Sequence, residues 1–167
     1  MMRRWLEIFA AVIVFYSCNT KSYKDITATQ YADTLYAIQN VMIVQADSFF
    51  QAINFDKYDA EVFYQKALAI QTESEQQLKQ AGTFGKNDAL YVALQQVCTA
   101  MAAVLQNEGA VLLQWRATVM SEYDEQLQCK IDSLLASSIL KITQAQVHYD
   151  TVAVQFLNER GFDVKRY

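Results

Sequence analysis

The chain has 167 residues, 53% of them hydrophobic, and a formal net charge of −4 from 14 basic and 18 acidic side chains. Apart from the pairs Arg3-Arg4 and Lys165-Arg166 the basic residues are scattered singly, which argues against nucleic acid, because a phosphate backbone rewards clustered Lys and Arg. There is no proline and there are four glycines; with abundant Ala, Gln, Leu and Glu, this composition favours helix throughout.

The N-terminus opens with Met1-Met2-Arg3-Arg4, continues into an apolar core from Ile8 to Tyr16, and places small Ser17 before Cys18. That layout predicts a secretory signal, and its core is too short to span a bilayer. Phe15-Tyr16-Ser17-Cys18 resembles a lipobox, the site at which a bacterial lipoprotein is cleaved and its cysteine acylated. The expected organisation is a signal peptide over 1–17, a tether over 18–26 beginning with lipidated Cys18, and a helical domain over 27–167. Removing 1–17 takes away Arg3, Arg4 and Glu7 and leaves a charge of −5. The remainder offers no basic amphipathic helix for an anionic membrane surface, so membrane contact is expected through Cys18, whose several acyl chains would hold where one would not.

Thr27-x-x-Gln30 reads as a capping box. A first helix over 27–53 then carries Tyr31, Leu35, Ile38, Met42, Phe49 and Ile53 on one stripe. Asp56 or Asp59 can cap a second helix over 56–80, with Val62, Phe63, Ile70 and Leu78 as its apolar positions. Gly82-Thr83-Phe84-Gly85 is the clearest break, followed by Asn87 or Asp88 as a cap. The third helix, over 87–119, has the cleanest seam: Leu90, Leu94, Val97, Met101, Val104, Glu108, Val111 and Trp115 alternate steps of four and three. Ser121-Glu122-Tyr123-Asp124 offers a cap for a fourth helix over 122–159, with Leu127, Ile131, Leu134, Ser138, Ile142, Ala145, Tyr149, Val152 and Phe156 as its stripe. Gly161 stands where a helix C-cap belongs. Short connections imply antiparallel neighbours, so the expected fold is an all-α, up-down-up-down four-helix bundle. A three-helix form, with the third helix running unbroken into the fourth, is the alternative.

Cys98 and Cys129 fall about 20 Å apart along such a bundle, too far for a disulfide, and both are expected free. A di-metal bundle needs inward Glu residues and Glu-x-x-His. The single histidine, His148, has Ala145 three residues before it, so no metal or other cofactor is expected. Neither Gly-x-Ser-x-Gly nor a phosphate loop occurs, and no catalytic residue is assigned. Glu108 breaks the third seam. Folding the hairpin about Ser121 would set it opposite Ser133 and Ser137, a candidate buried polar site with Lys130 a turn away, unless Glu108 reaches water at the seam edge. Gly109 beside it predicts close helix contact. The second hairpin should overhang the first by about 9–14 Å, placing Leu113, Trp115, Val119, Met120 and Tyr123 at the end far from Cys18 as a candidate partner contact. The alternative for these side chains is packing against each other or the first helix.

The serine before the lipid cysteine, the two helical hairpins, and the stretch from Gln144-Ala145-Gln146 through Gln155-Phe156-Leu157 to Gly161-Phe162 resemble a group of small all-helical lipoproteins of Bacteroidetes-type envelopes. That resemblance brings no known activity. It implies an envelope location, and the absence of an acidic pair in Asn19-Thr20-Lys21-Ser22-Tyr23-Lys24 implies the periplasm-facing leaflet of the outer membrane. The expectation is a non-enzymatic, lipid-anchored binding or scaffold module that holds a protein or other envelope component. The alternative is a carrier holding a small apolar or weakly polar ligand inside the bundle near Glu108.

Overall fold

The computed structural model describes residues 27–55, 59–85, 88–121 and 124–162. The expected signal, the tether and Cys18 lie outside them. Thr27 caps the first helix, α1 (Ala28–Asn54), as a reciprocal box: its hydroxyl accepts from the Gln30 N–H at 3.3 Å, and the Gln30 side chain accepts from the Thr27 N–H at 3.0 Å. The expected stripe of Tyr31, Leu35, Ile38, Met42, Phe49 and Ile53 is buried.

The second helix, α2 (Ala60–Ala81), turns a different face inward than its larger apolar residues suggest. Its buried positions are Ala60, Tyr64, Ala67, Gln71, Ser74, Leu78 and Ala81. Of the expected positions, Leu78 is buried, Phe63 and Ile70 are half-buried, and Val62 is 51% exposed. Small residues at Ala67, Ser74 and Ala81 let α2 lie close against α1, and close approach outweighs the burial of one valine. Gln71 stays satisfied on this face by donating to Glu75 at 2.5 Å. Gly82, at φ +61°, ends the helix in a backbone region open to glycine, with its N–H on the Leu78 carbonyl at 3.1 Å.

Asp88 caps α3 by accepting from the Tyr91 N–H at 3.0 Å. This helix comprises Ala89–Val104, one wide π turn at Leu105–Gly109, and Ala110–Ser121. Up to Val104 the seam follows the expected phase, with Leu90, Leu94, Val97, Met101 and Val104 all buried. Beyond it the inward positions are Leu105, Gly109, Leu112 and Arg116, while Glu108, Val111 and Trp115 are half-buried. The π turn inserts one residue's worth of rotation and moves the seam on by one position. By length and composition, Ala89–Val119 could also cross a membrane; here its apolar stripe is the centre of the bundle core.

Asp124 caps α4 (Glu125–Asn158) by accepting from the N–H groups of Gln126 and Leu127 at 2.9 and 3.2 Å. A fourth helix therefore starts anew and does not extend the third. It buries Ile131, Leu135, Ser138, Ile142, Tyr149 and Phe156, and Gly161, at φ +82°, closes the last turn. The result is an all-α four-helix bundle. Two closely packed hairpins, α1 with α2 and α3 with α4, meet along thinner α2–α3 and α1–α4 seams. Cys98 is buried and Cys129 exposed, and both are free thiols.

A candidate docking groove

The thin α1–α4 seam leaves a trough on the bundle surface. One recess of about 300 Å³ lies between Phe50 and Asn54 of α1 and Asp132, Leu135 and Ile139 of α4. A second, of about 160 Å³, continues it past Ile43 and Ala46 toward Ile142 and Gln146. Asp47, Phe50 and Ile139 line both, so the two are one groove. Its floor is the buried edge of the core: Ala46, Phe50, Leu135 and Ile142 are each less than a tenth exposed. Ile139 stands 44% exposed on the α4 lip. Asp47 and Asp132 are exposed along the two rims, and the described lining residues include no lysine, arginine or histidine.

The helices explain that charge pattern. Over its whole length α1 has no Lys or Arg. Two lysines occur in α4, Lys130 and Lys141, about three turns apart and therefore on one face. That face belongs to α3, because Lys141 donates to Glu108. The groove side of α4 is left with Asp132.

Glu108 is 17% exposed and its carboxylate is taken by Lys141. This hydrogen bond holds the Glu108 pKa below the usual carboxylate range, against a smaller opposing effect of burial. Ser133 and Ser137 are exposed, and the Ser137 hydroxyl returns to the Leu134 carbonyl at 2.9 Å. Of the three residues expected to form a buried polar site, the two serines are therefore exposed and Glu108 is paired with Lys141. The π turn rotates Glu108 off the seam toward Lys141, and the serine that enters the core is Ser138, whose hydroxyl is on the same Leu134 carbonyl at 2.7 Å.

Close contact at Gly109 is present, and it faces the first hairpin. A Cβ there would lie 3.1 Å from the Tyr64 ring and 3.4 Å from the Phe49 ring. Tyr64 then donates its phenol to the Leu105 carbonyl inside the wide turn, at 3.1 Å. Downstream, Arg116 is 7% exposed and donates to Gln128 at 2.9 Å. Of the expected partner contact, Leu113, Trp115 and Val119 are partly buried and packed against the core. The side chain of Met120 and all of Tyr123 lie outside the described residues. His148 is exposed.

The opposite end of the bundle is cross-tied. Tyr31, fully buried in α1, donates its phenol to the Asp88 carboxylate and lies 2.9 Å from the Gly82 carbonyl. Asp88 also accepts from the Phe84 N–H at 2.6 Å. Rings of Tyr31, Phe84 and Phe156 sit within 6 Å of one another, and the Arg160 guanidinium lies 3.6 Å from the Phe156 ring centroid. The start of α1, the α2–α3 loop and the end of α4 therefore share one end. The groove occupies the other half: Phe50 lies about 35 Å from Thr27 along α1.

No protein-family model, curated protein or solved structure matches this chain.

Proposed function

We propose that the protein is a non-enzymatic docking module of the cell envelope, lipid-anchored at Cys18 to the outer membrane and facing the periplasm. In this reading it holds a partner protein in the α1–α4 groove. The observation that carries it is the trough itself, with an apolar floor and a 44% exposed Ile139 on its lip. Apolar surface recessed between polar rims suits a protein contact. The groove also lies in the half of the bundle remote from Thr27, where a partner could reach it beyond the lipid surface. Both recesses open to solvent, the shape that takes an extended partner; a carrier of small ligands encloses its cargo.

Two measurements test the reading. Cys18→Ser should lose membrane association and the mass of the acylated N-terminus; a variant that stays anchored removes the lipoprotein part. A photo-crosslinking residue at position 139, in cells expressing the full chain, should give one discrete protein adduct. A matching residue at Val92, exposed on α3, should not. Equal labelling at the two positions would remove the docking part.

A further inference from the structure

We infer that the groove selects a cationic amphipathic helix, with its apolar face on Phe50 and Ile139 and its basic residues between Asp47 and Asp132. This names the partner's chemistry and rests on the docking reading above. Three observations converge on it.

The first is the kind of element that fits. Both walls are helices whose backbone groups are bonded internally, so the groove has no strand edge to extend, and recognition falls to side chains in an elongated apolar trough. That is the helix-in-groove mode, read by residues spaced i, i+3, i+4 and i+7. The walls run from Ile43 to Asn54 and from Asp132 to Gln146, about 17–21 Å, or three to four helical turns.

The second is the sign of the charge. Asp47 and Asp132 sit on opposite rims, and no basic residue is among the described residues that line the trough. On α4, Lys141 is turned to the α3 side and held by Glu108. An acidic helix would face like charge on both rims; a basic one would meet its complement on both.

The third removes a second copy as occupant. A two-fold contact of this face with itself would set Asp47 and Asp132 of one copy against the same pair on the other. Self-association here opposes like charges across an apolar contact.

The test uses the full chain in nanodiscs of zwitterionic lipid, with empty nanodiscs as reference. Two fluorescent synthetic helices of about 18 residues share a Leu/Ala stripe; one carries Lys on its remaining positions and the other Glu. Exposed ion pairs each change affinity by a few-fold, so the Lys helix should bind about tenfold more tightly than its Glu twin at low salt. That preference should shrink as ionic strength approaches about 1 M, where the screening length falls to about 3 Å. The double exchange Asp47→Lys, Asp132→Lys should reverse it. Ile139→Ser should weaken both helices, with helicity by circular dichroism showing the fold retained. Equal binding of the twins, unmoved by the exchange, overturns the charge assignment while leaving the docking reading in place. Failure of both to bind overturns the helix-groove assignment; the crosslink at position 139 judges the docking reading separately. A concentration-dependent dimer abolished by Ile139→Asp would give the groove to a second copy and also overturn the proposal.

Discussion

Deleting Gln106 from α3 should be much milder than deleting Gln96, although both residues are exposed on the same helix. The inward positions of α3 step regularly to Val104 and then resume one position late, at Gly109, Leu112 and Arg116. Removing one residue inside the π turn lets these positions follow Val104 in unbroken α-helical phase, so the same side chains remain in the core. The losses are the Tyr64–Leu105 hydrogen bond, about 1 kcal/mol, and disturbance of the Glu108–Lys141 pair, about 1 kcal/mol or less. Removing Gln96 instead rotates Leu90 and Leu94 by about 100° relative to everything downstream. Both leucines are fully buried, and exposing each loses roughly 1.5–3 kcal/mol, a large part of a typical 5–15 kcal/mol total. For a domain of this size a kcal/mol moves Tm by about 2–4 °C. Thermal unfolding should therefore show a drop of about 2–8 °C for the Gln106 deletion and about 6–24 °C for the Gln96 deletion. Equal drops, or the reverse order, would show that the wide turn is not what sets the phase of α3.

Glu108→Gln should lower stability at neutral pH by about 1 kcal/mol or less. The Glu108 pKa is depressed in the folded state by its bond to Lys141, so that stabilisation is present above the unfolded carboxyl range near pH 4.3 and lost as pH falls through the folded value. Urea unfolding of the two proteins should converge in acid; a gap that widens there would contradict the pairing. Tyr31→Phe removes a buried donor to a carboxylate, about 1.5–3 kcal/mol, and its Tm should fall by roughly 3–12 °C. Alkylation followed by peptide mass mapping should modify exposed Cys129 first at mildly alkaline pH. Cys98, buried and with its thiol pushed up to about 11 chiefly by desolvation, should react at the rate of unfolding. Gly109→Ala should be neutral to destabilising by about 2 kcal/mol, since a Cβ crowds Tyr64 while alanine regains up to about 1 kcal/mol of helix propensity.

The helix count, the caps at Thr27 and Asp88, and the core face of α1 are legible from spacing because they are local: each depends on residues within a turn or two. The core face of α2 is not. Its larger apolar residues point to Val62, Phe63 and Ile70, yet the deciding quantity is how near α1 can come, and that favours Ala67, Ser74 and Ala81. The π turn leaves a trace in the sequence as a carboxylate on the seam at Glu108 with Gly109 beside it. Reading that trace as a phase shift needs Tyr64, 45 residues away in sequence, to bond Leu105 and pack against Gly109. The groove is illegible for the same reason: Asp47 and Asp132 share no local pattern, and their common face exists once α1 and α4 lie side by side.

The cross-tie around Tyr31 has a mechanical consequence. Tension entering at Thr27 meets, within one helical turn, a phenol bonded to Asp88 and a ring stack reaching Phe156. A load applied at the groove enters α1 near Phe50, so the pull runs lengthwise along one helix. With both ends of the load on α1, the helix is drawn along its own axis and its side-chain contacts with α2 are left unsheared. A sideways pull would instead peel those contacts apart turn by turn.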